Sequence, residues 1–227
     1  MISFEHKPGT KIVYASTDCF DTEGFAVVPE VASRDDISQL SALCDELDIC
    51  GAGSRNLLQL DWVKRLAAAI SEHPEIRSLL PPDARAVQCT YFLKTADKNW
   101  LVPLHRDRSI PVQEQFAATD WTGWSRKEGT WFAVPPDRVL RQLVAVRLHL
   151  EENSADNGAL EVLPGSHRNS AGSGSRIACP VPAGGALVMK PSILHASSRL
   201  SSGRRRVLHF LYGPASLPAP AQWAYSI

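Results

Sequence analysis

The sequence predicts a mainly β chain of α+β type, a sandwich or jelly-roll barrel preceded by helices. From Arg85 onward, short β-rich segments are punctuated by Gly and Pro with no long helix between them. Before Pro81-Pro82 the apolar residues instead recur at helical spacing. The 227 residues contain no Gly/Ser-rich or charge-rich linker, so residues 1–227 read as one domain: a strand and helices over 1–84, and a jelly-roll core over 85–214.

In chain order, Gly24-Phe25-Ala26-Val27-Val28 reads as a short strand. Ser33 is a good helix N-cap with Asp35 and Asp36 in the first turn, and Ile37, Leu40, Cys44 and Leu47 keep helical spacing to about Glu46 or Leu47. Gly51-Ala52-Gly53 ends that region. A second helix is expected from about Leu57 to Glu72, because Leu58, Trp62, Leu66 and Ile70 recur every four residues while Asp61, Lys64 and Arg65 lie on the other side. Pro74 and Pro81-Pro82 should close the helical part. The candidate strands are 85–93, 100–104, 130–134, 142–150, 159–163, 176–181, 186–189 and 207–212, with Asn157-Gly158 and Gly184-Gly185 as turn signals. Two segments read as loops that could cover a site: 109–129, which carries Phe116, Trp121 and Trp124, and the Gly/Ser-rich 166–175.

Lys+Arg and Asp+Glu both number 24, which argues against a nucleic-acid or membrane-surface partner at the level of net charge. The first residues lack the apolar core of a signal peptide, and no run approaches the roughly 20 apolar residues of a membrane span, so a soluble, cytoplasmic protein is expected. Five cysteines with no C-x-x-C pair suggest neither a disulfide framework nor a thiolate zinc site.

The chemistry gathers at Leu104-His105-Arg106-Asp107. His105 and Asp107 are two apart, so on an extended segment both side chains face one way and can chelate one ion. With a second imidazole from elsewhere they would form a two-His-one-carboxylate facial triad, which leaves the opposite coordination positions open. Alone, an H-x-D is more simply a structural His-Asp hydrogen bond. His-Arg-Asp is also a protein-kinase catalytic-loop signature, but Val112 stands at the expected Asn position and there is no G-x-G-x-x-G or D-F-G. His195, after Pro191 and an apolar stretch, could equally be a core histidine, and His167 is its rival as a third ligand. Arg147 and His149 share a strand face, either inside a barrel or as an outward pair. In the run Arg204-Arg205-Arg206, alternation puts Arg204 and Arg206 on one face and Arg205 on the other.

Three pieces in order, His105-Arg106-Asp107, the run Asn157-Gly158-Ala159-Leu160-Glu161-Val162-Leu163-Pro164-Gly165-Ser166-His167, and His195-Ala196-Ser197 with Arg206 eleven residues after His195, resemble the phytanoyl-CoA dioxygenase-like branch of the Fe(II)/2-oxoglutarate-dependent oxygenases. The Gly24–Val28 strand and the helix after it extend the resemblance over nearly the whole chain. It implies a double-stranded β-helix (jelly roll) with N-terminal helices packed on one sheet. It also implies Fe(II) held by His105, Asp107 and His195, 2-oxoglutarate as cosubstrate contacted by Arg206, Ser197 and Gln88, and O2 as oxidant. The implied activity is dioxygenase hydroxylation of a small organic metabolite with release of succinate and CO2. In that family the P-G-S-H histidine, here His167, is not a ligand.

Two other readings stay open. A jelly-roll Zn(II) or Mn(II) hydrolase or isomerase could use the same ligands, and a non-catalytic small-molecule binder could keep the scaffold. The Ser197/Arg206 pair speaks for a second carboxylate ligand and so against the first. The aromatic residues Phe116, Trp121 and Trp124 lean toward a partly apolar or cationic substrate.

Overall fold

The computed structural model describes residues 17–47, 53–154, 157–168 and 174–227. Its first described elements are α1 (Thr17–Glu23), β1 (Phe25–Val28) and α2 (Arg34–Asp45). Ser33 caps α2 through a complete capping box: its hydroxyl accepts from the Asp36 amide, while the Asp36 carboxylate accepts from the Ser33 amide. After β2 (Gly53–Ser54), Leu57–Gln59 form one 3-10 turn, so the long helix expected from Leu57 begins as α3 only at Asp61 and ends at Glu72. Pro74 does not close the helical part. It stands at the first position of α4 (Pro74–Leu79), where its missing N–H is not needed and its fixed φ suits the helix.

The β region follows as β3 (Arg85–Lys94), β4 (Val102–His105), β5 (Ile110–Val112), β6 (Thr122–Lys127) and β7 (Thr130–Val134). A four-residue α5 (Asp137–Leu140) precedes β8 (Val144–His149), β9 (Leu160–Val162), β10 (Ile177–Cys179), β11 (Ala186–Met189), β12 (His195–Ser197) and β13 (Arg205–Gly213). The major sheet has the order β1-β11-β8-β13-β3-β2, the facing minor sheet β10-β9-β12-β4, and a third sheet β5-β7-β6. All these pairings are antiparallel. This is the double-stranded β-helix expected, with helices on one face of the major sheet. The 109–129 segment is not a loop throughout, since it supplies β5 and β6. Of 166–175, residues 169–173 lie outside the described residues, as do Gly51, Ala52 and Cys50.

Strand alternation divides the core in two. On β13, Leu208, Phe210 and Tyr212 face the helices, with Leu58, Ile70 and Ile76 in the same apolar cluster, and the Tyr212 hydroxyl donates to the Ala67 carbonyl at 2.8 Å. Truncating a residue such as Phe210 to alanine there should cost about 3–5 kcal/mol. The opposite face of the major sheet, with Ala145, Leu187 and Leu211, packs on Val162, Ile110 and Trp121 of the other sheets. Polar residues on that inner face, Arg147, His149, Arg205 and His209, are buried between the sheets, so the barrel interior is where chemistry can be housed. Among the described residues, no helix is long and apolar enough to cross a membrane. Cys44, Cys89 and Cys179 are buried thiols and Cys19 is exposed, with no disulfide among them.

Candidate metal and cosubstrate site

β12 lies between β9 and β4, and its ladder with β4 sets His195 directly opposite His105. The two imidazoles are tilted against each other with ring centroids 4.2 Å apart. Asp107 follows β4 by two residues, and its amide donates to the Pro191 carbonyl at 2.9 Å, which fixes the turn that aims its carboxylate at both rings. Asp107 Oδ1 lies 3.4 Å from His105 Nε2 and Asp107 Oδ2 lies 3.5 Å from His195 Nε2. One ligand atom from each residue falls within 4.8 Å of the others, the separation expected of atoms arranged to share one ion.

The tautomers are fixed by the backbone. His105 Nδ1 is 2.9 Å from the Pro103 carbonyl and His195 Nδ1 is 3.0 Å from the Ile193 carbonyl. A carbonyl can only accept, so each Nδ1 carries the proton, and in the neutral ring Nε2 turns a lone pair toward Asp107. Burial pushes the Asp107 carboxyl upward, but the hydrogen bond it accepts from His105 when that ring is protonated, and the charges of His195 and His209 in their protonated forms, outweigh it and hold the group well below the usual carboxylate range. The Asp107 hydrogen bond raises His105, whereas burial lowers His195 to about 4 despite the attraction of Asp107. His195 is therefore neutral, as a ligand must be.

The rival His167 is elsewhere. Its Nε2 reaches the Asp21 carbonyl of α1 at 3.1 Å, and its ring packs so closely on Gly24 (φ +85°) that a Cβ there would come within 2.3 Å of Nδ1. Arg147 and His149 face inward, which settles the alternative left open for them.

The three arginines fall differently from expectation. Arg206 does not enter the barrel. It shares the face of Leu208, Phe210 and Tyr212, its Nε and Nη2 pair with Glu151 Oε1 at 2.7 Å each, its Nη1 meets Asp45 at 2.9 Å, and two further bonds go to Ser41 of α2. Arg206 thus clamps the helical layer to the sheet. Arg205 points inward instead, donating from Nη2 to Ser197 Oγ at 3.0 Å and from Nη1 to the Gly158 carbonyl. Counting eleven residues from His195 assumes a loop of fixed length, whereas which arginine points inward is set by β13 alternation. His209 lies on the Arg205 face of β13, but apolar residues occupy both faces, so the strand's own sequence does not show which arginine points inward.

Lys94, directly opposite Arg205 on β3, was not singled out by sequence. Its Nζ donates to Ser197 Oγ at 3.2 Å and to the Ser198 carbonyl at 2.8 Å, and lies 5.1 Å from the Trp100 ring centroid. Burial, then the charges of Arg205 and Arg147, lower it to about 8. Ser197 therefore sits under two buried cations. Gln88, by contrast, lies along the cavity that opens at Asp107, donating from Nε2 to Thr90 Oγ1 at 2.8 Å. Asn157 does more than make its turn: its Oδ1 accepts from the Ser201 and Ser202 amides and so ties down the loop that leads into Arg205.

The fold has relatives of known structure. A carbocyclase of nogalamycin biosynthesis, SnoK, described as non-heme and alpha-ketoglutarate dependent, superposes with a TM-score of 0.64 at 16% identity over 88% of this chain and 83% of its own. HygX from Streptomyces hygroscopicus, solved with iron bound, superposes at 0.62 with 20% identity over 87% and 85%. The epimerase SnoN, also from nogalamycin biosynthesis, superposes at 0.63 with 16% identity over 88% and 82%. No curated protein sequence matches the chain. The sequence model of phytanoyl-CoA dioxygenase matches residues 20–207, taking in strands of all three sheets, the triad and Arg205, and on that match the chain belongs to the phytanoyl-CoA dioxygenase family of non-haem iron, 2-oxoglutarate-dependent enzymes.

Proposed function

We propose that the chain is an Fe(II)- and 2-oxoglutarate-dependent dioxygenase that hydroxylates a small organic molecule, with His105, Asp107 and His195 as the metal ligands. The observation that carries this reading is the convergence of two Nε2 lone pairs and one ionised carboxylate at the end of the barrel, each imidazole oriented by a backbone carbonyl. When bound, Fe(II) with 2-oxoglutarate and O2 supplies the oxidising power, releasing succinate and CO2.

The chain's own residues bind, orient and shield. Lys94, Ser197 and Arg205 form a buried basic cluster between the sheets whose chemistry suits the distal carboxylate of a dicarboxylate cosubstrate, Arg205 offering a planar fork and Lys94 a second charge. This role passes from Arg206, already engaged by Glu151 and Asp45, to Arg205. Ile110, Phe132, Leu143 and Leu211 wall the cavity beside Asp107 and keep water from a substrate C–H placed there.

The test is metal analysis of protein purified without oxygen, with a succinate-release assay across a metabolite library and product identification. Iron-dependent succinate formation coupled to a hydroxylated product is expected. Bound zinc with no succinate would return the site to a hydrolase or isomerase, and a ring-closed or epimerised product would keep the cofactors and replace the hydroxylation.

A further inference from the structure

The cavity beside the triad encloses about 220 Å³, room for a small molecule, and its charges are predominantly positive. Arg55, Arg106, Arg108 and Lys127 line it together with a single carboxylate, Asp107. Three of the four cations are at least partly engaged. Arg55 pairs with Glu128 at 3.2 Å, Arg106 donates to the Ser166 and Ser192 carbonyls, and Arg108 stands 4.0 Å from Asp137, beyond hydrogen-bond reach. Lys127 differs: its Nζ lies 4.9 Å from the Phe132 ring centroid, and it forms no ion pair among the described residues. Burial and the Arg55 charge press on it, and the acid that attracts it is Asp107. A metal ion on the triad would use that carboxylate and leave Lys127 without an anion.

The deeper interior adds to the same field. Lys94, Arg147 and Arg205 are buried between the sheets, and none forms an ion pair with a carboxylate among the described residues. Arg147 donates from Nη1 to His209 Nδ1 at 2.8 Å, its Nε has no partner, and its guanidinium lies 5.4 Å from the centroid of Phe92. Both Phe92 and His209 line the cavity. On the reading above, the distal carboxylate of the cosubstrate offsets one of these three charges, and the cavity still faces a positive interior.

We propose that the primary substrate is a small amphipathic anion, with Lys127 and Arg108 holding its carboxylate or phosphate at the cavity mouth and Ile110, Phe132 and Leu143 receiving its apolar body beside the triad. This inference rests on the proposed oxygenase reading, and it replaces the lean toward a cationic substrate. Phe116 meets Trp121 and Trp124 edge-on at 5.1 and 5.0 Å between centroids, so these rings pack on one another and do not line the cavity.

The test uses protein loaded with Mn(II) and saturated with 2-oxoglutarate, titrated calorimetrically with 3-phenylpropionate, its neutral amide and the matching amine, and with phenyl phosphate against phenol. Each anion should bind at least about tenfold tighter than its neutral partner, the scale of one charge-assisted hydrogen bond. Lys127→Met should reduce that preference to about threefold or less, and Lys127→Glu should turn it toward the amine, with 2-oxoglutarate affinity unchanged in both. Equal binding of anion and amide, no binding by any probe, or an unaltered preference in both variants would overturn the proposal. So would anion binding that disappears on saturation with 2-oxoglutarate, because the probe would then have occupied the cosubstrate position. Failure of the oxygenase reading shows separately, as absence of 2-oxoglutarate binding to the Mn(II)-loaded protein.

Discussion

Arg205 and Ser197, eight residues apart on β13 and β12, meet between the two sheets at 3.0 Å, while the next residue, Arg206, faces the opposite layer. Adjacent arginines on one strand therefore point into different layers: Arg205 into the barrel interior, Arg206 into the helical layer that it ties to the sheet.

The two can be separated by experiment. A guanidinium paired with a buried carboxylate is worth about 2–5 kcal/mol by truncation, so Arg205→Gln should weaken 2-oxoglutarate binding to the Mn(II)-loaded protein by roughly 30-fold or more. Arg206→Gln should leave that affinity nearly unchanged but destabilise the fold by roughly 3 kcal/mol, because the buried guanidinium's bonds to Glu151, Asp45 and Ser41 across the sheet-helix boundary are lost together. Calorimetric titration and urea denaturation of the two variants check both halves. A large loss of cosubstrate affinity in Arg206→Gln alone would reverse the assignment.

Removal of any ligand should abolish tight metal binding. His105→Ala, Asp107→Ala and His195→Ala each delete one of the three converging atoms, whereas His167→Ala, on the far side of Gly24, should bind metal like the parent. Metal titration, with circular dichroism to verify the fold, is the measurement. In the parent, metal affinity should fall as the solution is acidified, since a proton competes for His105, whose pKa Asp107 raises.

Much of this could be read from the chain because the informative residues obey short-range rules. The H-x-D spacing places both side chains on one face whatever the fold around it, and the Ser33 capping box and the α3 periodicity are likewise local. What was not legible depended on long-range pairing. β12 is three residues long and exists because β9 and β4 flank it, so nothing in His195-Ala196-Ser197 alone marks a strand. Lys94 ends an apolar strand and reads as a solvated terminus until Arg205 and Ser197 are seen opposite it. The choice between Arg205 and Arg206 required the facing elements, since the apolar residues of β13 are distributed over both faces.

On the proposed reading, Lys94 gives cosubstrate binding a pH dependence whose sign can be worked out. Its pKa of about 8 lies below the ordinary 10.5, because burial and the charges of Arg205 and Arg147 disfavour the ammonium. Between those two values the unfolded chain holds the proton and the folded chain does not, so this group makes the unliganded protein more stable as pH rises through that window. Cosubstrate binding runs the opposite way. A carboxylate placed beside Nζ favours the ammonium, so above pH of about 8 binding should take up a proton, approaching one per site near pH 9 and vanishing near pH 6.5. Affinity should accordingly decline by up to about tenfold per pH unit across the upper part of the range. Calorimetry of 2-oxoglutarate binding in buffers of different ionisation enthalpy measures the uptake directly, and Lys94→Met should eliminate it while leaving the Arg205 contribution in place. If the uptake persists in Lys94→Met, the proton goes to another group. If the parent shows none, the distal carboxylate does not sit between Lys94 and Arg205.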